Sequence, residues 1–216
     1  MLGLIEKDIR LTLARKQTLL IFLVLALVMG LSMDGSFVIG YLTMLATIVA
    51  VGTISYDEFD NGFAFLMTLP FDRKTYVKEK YLFSFLSAAG AWCFGVVLYC
   101  LGSAIRHQTV MFADELPILL ALLPVLFLLA TVMIPLQLKY GSEKSRIVLF
   151  IIFGIIAVLI YGINKIFDGS DIMSGAVKTL DGISPIVVLV SIVAVCLLFT
   201  CASYLCSVRI MDKKEI

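Results

Sequence analysis

Charge is scarce in this chain: Asp, Glu, Lys and Arg make up 15% of its 216 residues, against 61% hydrophobic. A soluble domain carries charge at about a quarter of its positions, so this composition excludes a water-soluble protein and describes a membrane one. Six helical crossings at roughly 20 residues each use over half the chain. No stretch between the apolar runs approaches the roughly 50 residues of a small independent domain, which excludes an aqueous catalytic domain. The whole of 1–216 therefore reads as one transmembrane domain, and a net charge of +1 gives no reason to expect a nucleic-acid partner.

Other absences narrow the function. Histidine occurs once, at His107 beside Arg106, so no second imidazole can join it on a metal. Cys93, Cys100, Cys196, Cys201 and Cys206 all lie inside apolar runs with no CxxC spacing, as buried thiols do, and give no metal or redox site. No GxxxxGK[ST] occurs, so this chain has no phosphate-cradling loop for ATP. No span carries a charge in its central region. Such spans offer no titratable group to a proton-driven carrier and no nucleophile or base to an intramembrane enzyme.

What is present is a set of apolar runs at about Thr18 to Met33, Phe37 to Ser55, Tyr81 to Ile105, Leu116 to Leu138, Ile147 to Ile166 and Pro185 to Val208. The first two are separated only by Asp34, Gly35 and Ser36, a hairpin turn. Lys7, Arg10, Arg15, Lys16, Arg73, Lys74, Lys78, Lys80, Lys139, Lys144, Arg146, Arg209, Lys213 and Lys214 fall on one side of a six-span layout. Only Arg106, Lys165 and Lys178 fall on the other. This asymmetry predicts that both termini are cytoplasmic. The expected fold is all-α: a polytopic membrane protein of six helices. Residues 1–17 precede them as an amphipathic helix lying in the headgroup plane, with Leu2, Ile5, Ile9 and Leu13 on one face. A cleaved signal peptide is the competing reading of the first run, but the charged stretch before it is long and contains Glu6 and Asp8.

Inside the spans the legible chemistry is packing and bending. Ser87, Ala91 and Gly95 give the third span a small-residue face for close helix approach. Gly40, Thr43, Thr47 and Ala50 form a weakly polar stripe on the second span, suited to packing or to lining a conduit. Pro124 and Pro135 lie eleven residues apart, within about 20° on one face of the fourth span, and deprive the carbonyls of Leu120 and Thr131 of their helical partners. A helix broken at both would either bend in a transport cycle or be statically kinked. Pro117 and Pro185 read as first-turn prolines, the latter after a Ser184 cap.

The cytoplasmic stretch 56–80 is too apolar for a linker. From Asp57 to Leu69 a wheel puts Phe59, Phe63, Leu66, Met67 and Leu69 on one arc and Asp57, Asp60 and Asn61 on the other, predicting a short amphipathic helix. Phe65 falls on the polar side, where an exposed aromatic anchors a partner protein, although a helix merely lying on the membrane has the same pattern. Pro70 ends this helix and Asp72 can cap the next.

The acidic, aromatic-bearing stretch with Tyr56 and Glu58, followed by Leu69, Pro70, Arg73 and Lys80, resembles the permeases of type-2 bacterial ABC exporters. The segment from Ile134 to Arg146, with Pro135, Lys139, Tyr140, Gly141, Lys144 and Arg146, is similar to that family's motif after the fourth span. The resemblance implies a bacterial plasma-membrane permease subunit with no cofactor of its own. Its partners would be the bilayer, a second permease copy, the same or related, and a cytoplasmic ABC ATPase that holds ATP and Mg. It also implies that Glu58, Phe59, Asn61, Phe63, Phe65, Leu66, Leu69 and Pro70 couple to that ATPase, with Arg73, Lys144 and Arg146 as further contacts. Thr43, Thr47, Pro124 and Pro135 are then candidates for the pathway or its gating. The short Gly-rich segment from Phe167 to Ser184 departs from relatives with longer exterior elements there. Small members of the family include exporters of amphipathic peptides, phenol-soluble-modulin exporters among them. Uncharged spans suit amphipathic peptides, antibiotics or lipids as cargo. Two readings from other classes stay open: a non-transporting scaffold, immunity or sensor subunit that binds a peptide, and a secondary carrier.

Overall fold

A computed structural model describes residues 1–32, 35–59, 62–105, 112–166 and 184–214. Every element among them is helical: α1 (Leu2–Ala14), α2 (Lys16–Ser32), α3 (Gly35–Glu58), α4 (Gly62–Met67), α5 (Arg73–Ile105), α6 (Phe112–Ile166) and α7 (Pro185–Lys213). The hairpin residue Asp34, the pair Arg106 and His107, residues Asp60 and Asn61, and most of the exterior segment after Phe167 lie outside the described residues. Among the described residues four helical stretches are long and apolar enough to cross a membrane: Phe37–Glu58, Arg73–Ile105, Leu119–Gly141 and Ile186–Lys213. The α1–α2 pair, bent by 72°, is a fifth if it counts as one span. The run from Ile147 to Ile166 is helical as well, forming the second limb of α6.

Two helices run further than their apolar runs. At 1.5 Å per residue the 33 residues of α5 extend about 50 Å, well beyond a hydrocarbon core of roughly 30 Å. Its first turns, from Arg73 to Lys80, therefore project past the apolar layer, and α3 likewise continues through Asp57 and Glu58. The single amphipathic helix expected over Asp57 to Leu69 is instead divided between the end of α3 and α4. Gly62 allows the chain to turn back there, because a Cβ at this position would stand 2.7 Å from the Asp57 carbonyl oxygen.

The break in α6 does not fall at its prolines. Backbone torsions stay helical through Pro124 and Pro135, and the non-helical residue is Gly141, at φ 78° and ψ 174°. Only glycine occupies that region readily. The small-residue face of α5 is a packing surface: a Cβ at Gly95 would lie 3.0 Å from Cα of Ile39 on α3. Thr43 and Thr47 are fully buried against this contact, and their hydroxyls donate to the carbonyls of Ile39 (2.7 Å) and Thr43 (2.8 Å). Within one chain both side chains are packed against protein.

The main core lies toward the α4 end, where Val51, Ile54, Phe63, Leu66, Tyr76, Val77, Phe127, Ile134, Leu138 and Met211 join α3, α4, α5, α6 and α7. Elsewhere the outward surfaces are apolar, as on Phe150, Val158, Ile186, Leu198 and Phe199. Extended apolar exposure of this kind suits a lipid surface or another subunit.

Candidate functional site: the α4 connection and the helix ends that hold it

One end of the bundle gathers the C-terminus of α3, α4, the N-terminus of α5, the α6 elbow and the last residues of α7. Polar side chains hold these ends together. Arg73 opens α5, and its Nη1 donates to the carbonyls of Met211 (2.8 Å), Asp212 (3.0 Å) and Lys214 (3.1 Å). The last carbonyls of a helix lack intrahelical partners, so one guanidinium both satisfies the end of α7 and fixes it to α5. Lys214 in turn lies 3.5 Å from Oε1 of Glu58 and 4.2 Å from the Phe63 ring centroid. The Glu58 carboxylate rests against Gly141, whose missing Cβ would stand 3.0 Å from both of its oxygens. The two motif-bearing segments of the sequence thus meet directly.

Beneath these contacts sits a buried ionic cluster. Lys80 Nζ bonds Asp8 Oδ2, lies 2.8 Å from Asp57 Oδ2 and donates to Thr53 Oγ1 at 3.1 Å. Lys7 Nζ bonds Asp57 Oδ1 and lies 3.2 Å from Asp8 Oδ1. Tyr76 donates its hydroxyl to Asp57 at 2.9 Å, and Thr53 donates to Asp8 at 2.9 Å. Asp8, Lys80, Tyr76 and Thr53 are all buried. Two cations facing two carboxylates give local neutrality, which is the condition under which charges persist out of water. The cluster ties α1 to α3 and α5 by polar contacts and leaves Leu2, Ile9 and Leu13 of α1 exposed. Glu79 is the exception: its carboxylate is fully buried, makes no hydrogen bond among the described residues and lies 3.9 Å from Lys80.

The sequence wheel placed Asp57 on a solvent-facing arc, whereas the structure buries it in this cluster. The difference is physical: the wheel assumes one continuous helix, whereas α3 ends at Glu58 and a separate helix, α4, starts at Gly62, so the rotation is not carried through. For the same reason the expected apolar arc divides. Phe63 and Leu66 are buried, with Phe63 edge-on to Tyr76 at 5.7 Å between centroids. Phe59, Leu69 and Pro70 are exposed. Phe65 is 69% exposed on the opposite side of a helix that Phe63 and Leu66 hold to the core. Lys144 and Arg146 are exposed beyond the elbow. Pro124 and Pro135 are half-buried within the first limb of α6.

A second polar chain crosses the bundle nearby. Ser203 Oγ donates to the Thr131 carbonyl, the group that Pro135 leaves without its helical donor. Because that proton is used, Tyr81 donates to Ser203 Oγ (2.6 Å) and accepts from Ser207 Oγ (2.9 Å). Sequence reading identified the stranded carbonyl and missed its partner, which comes from a helix seventy residues away.

A family model described as "ABC-2 family transporter protein" matches residues 3–212. The chain belongs to the ABC-2 family of transporter proteins. Neither a curated protein nor a solved structure matches it. As an ABC-2 family member it is a multi-pass membrane component of an ABC transporter. That agrees with the expected all-α membrane fold.

Proposed function

We propose that this ABC-2 protein is the permease subunit of an ATP-driven exporter. Six crossings with both termini inside would place the α4 end in the cytoplasm. Two permease copies, identical or related, would enclose the pathway, and a separate ABC ATPase, holding ATP and Mg, would drive it. The cargo class favoured by uncharged spans is amphipathic: a peptide of the phenol-soluble-modulin kind, a peptide antibiotic or a lipid.

The observation that carries this reading is the mounting of Phe65. It projects from α4 while Phe63, Leu66, Glu58 and Arg73 bind α4 and its flanks to α5, the α6 elbow and α7. A push on Phe65 is therefore delivered to several spanning helices at once. A rigidly held aromatic is also the side-chain type that dominates protein interfaces. Phe59 and Leu69, exposed on either side of α4, would join it.

The test is co-purification with a cognate ABC ATPase co-expressed with this chain. Phe65→Ala should weaken association by about tenfold or more while membrane insertion and thermal stability stay unchanged. Wild-type ATPase yield with Phe65→Ala would remove α4 as the coupling element. ATPase activity stimulated by an amphipathic peptide in reconstituted vesicles would separate this reading from a scaffold, and flux driven by a proton gradient alone would favour a carrier.

A further inference from the structure

Beside the α6 elbow, the two limbs of α6 and the C-terminal half of α7 enclose a cleft of about 530 Å³ that the coupling scheme does not use. Its walls include Pro135 and Ile152 from the two limbs and Phe199 and Ala202 from α7, and Phe199 is 59% exposed, so the cleft opens sideways. Its other end is polar. Lys139 and Tyr140 line it there, with the Lys139 amine 5.0 Å from the Tyr140 ring centroid, and Lys139 makes no ion pair among the described residues. Lys144, Arg146, Arg209 and Lys213 of α6 and α7 are exposed at the same end, against the acids Glu143 and Asp212 of the same helices.

We infer that this cleft binds an anionic phospholipid of the inner leaflet, its acyl chain lying between Phe199 and Ile152 and its phosphate meeting Lys139. A long apolar slot with a cationic rim at one end has the polarity of a phospholipid along its own axis. Five cations against two acids favour a headgroup with net negative charge over a zwitterionic one. Basic pockets between spanning helices on the cytoplasmic side are where such headgroups bind. The volume falls within the roughly 300–1,000 Å³ of ordinary ligand pockets. The inference rests on the orientation proposed above, which puts the elbow at the inner leaflet, and is independent of ATPase coupling.

The full-length chain, purified in dodecylmaltoside, would be titrated with dioleoylphosphatidylglycerol or dioleoylphosphatidylcholine and the bound lipid counted by native mass spectrometry. The anionic lipid should bind about tenfold more tightly than the zwitterionic one. Lys139→Glu should abolish that preference, Lys139→Arg should retain it, and Ala202→Trp, which fills the slot, should reduce binding of both lipids. Equal affinity for the two lipids, or unchanged binding in Lys139→Glu, would overturn the proposal. So would efficient oxidative cross-linking of Cys206, which lines the cleft, to a second copy in native membranes, because the occupant would then be protein. No ATPase enters this test, so failure of the coupling scheme and failure of the lipid site give different results.

Discussion

The carboxylate of Glu58 lies against the Cα of Gly141, in the space that any other residue's side chain would take. Two constraints coincide there. The torsions of Gly141 suit only glycine, and a Cβ would meet both Glu58 oxygens at 3.0 Å. Gly141→Ala should therefore cost about 1–3 kcal/mol from backbone strain alone, with the steric contact added. Thermal melting in detergent micelles measures the sum. Combining it with Glu58→Ala should recover the contact part and leave the strain. Full recovery would mean that the elbow tolerates alanine.

The buried cluster predicts opposite results for neighbouring residues. Lys80→Met leaves the buried carboxylates of Asp8 and Asp57 with Lys7 as their one remaining cation, and removing one partner of a buried ionic cluster costs about 3–5 kcal/mol. Glu79→Gln removes a buried carboxylate that makes no hydrogen bond among the described residues, so stability should hold or rise. Melting temperatures of the two variants check this. A large loss in Glu79→Gln would show that its charge is needed.

Arg73, which the family resemblance makes a further ATPase contact, also donates through Nη1 to three carbonyls at the end of α7. Arg73→Ala should release residues 211–214 and with them the Lys214 contact to Glu58 and Phe63. Hydrogen exchange at the end of α7 should accelerate, with the spanning part of the helix unaffected. Unchanged exchange there would mean that the three carbonyls find equivalent partners without the guanidinium.

Phe63 and Phe65 separate two effects that share one short helix. Phe63→Ala opens a cavity beside Tyr76 and should lower stability by about 3–5 kcal/mol. Any loss of ATPase association in that variant should track its unfolding. Phe65→Ala should do the reverse, leaving melting unchanged. If Phe65→Ala melts early, its ring packs in the assembled protein and is no docking anchor.

Hydropathy made the spans legible because each apolar run is decided by its own residues, and Leu69-Pro70 announced a stop for the same local reason. The cluster was not legible. Asp8, Asp57 and Lys80 each look like solvated charges within their own windows, and only the packing of α1 against α3 and α5 makes them one buried group. Gly141 was visible as a motif glycine in a loop, but its role as the elbow of α6 depends on Glu58, more than eighty residues earlier. Pro124 and Pro135 showed which carbonyls lose a donor, but the break in α6 lies at Gly141, because what happens at a proline depends on what replaces the missing donor.

At Pro135 the replacement is identified, and it can be measured. The Thr131 carbonyl takes its hydrogen bond from Ser203 on α7 instead of from the amide that proline lacks. Ser203→Ala should therefore destabilise the protein by about 1 kcal/mol or more, because it leaves the Thr131 carbonyl unpaired and Tyr81 with Ser207 as its one remaining partner. In a Pro135→Ala background the amide of residue 135 is available to that carbonyl, so the same serine change should cost less. The double-mutant cycle isolates the difference. Additive effects would mean that Ser203 serves Tyr81 and that the proline site is satisfied some other way.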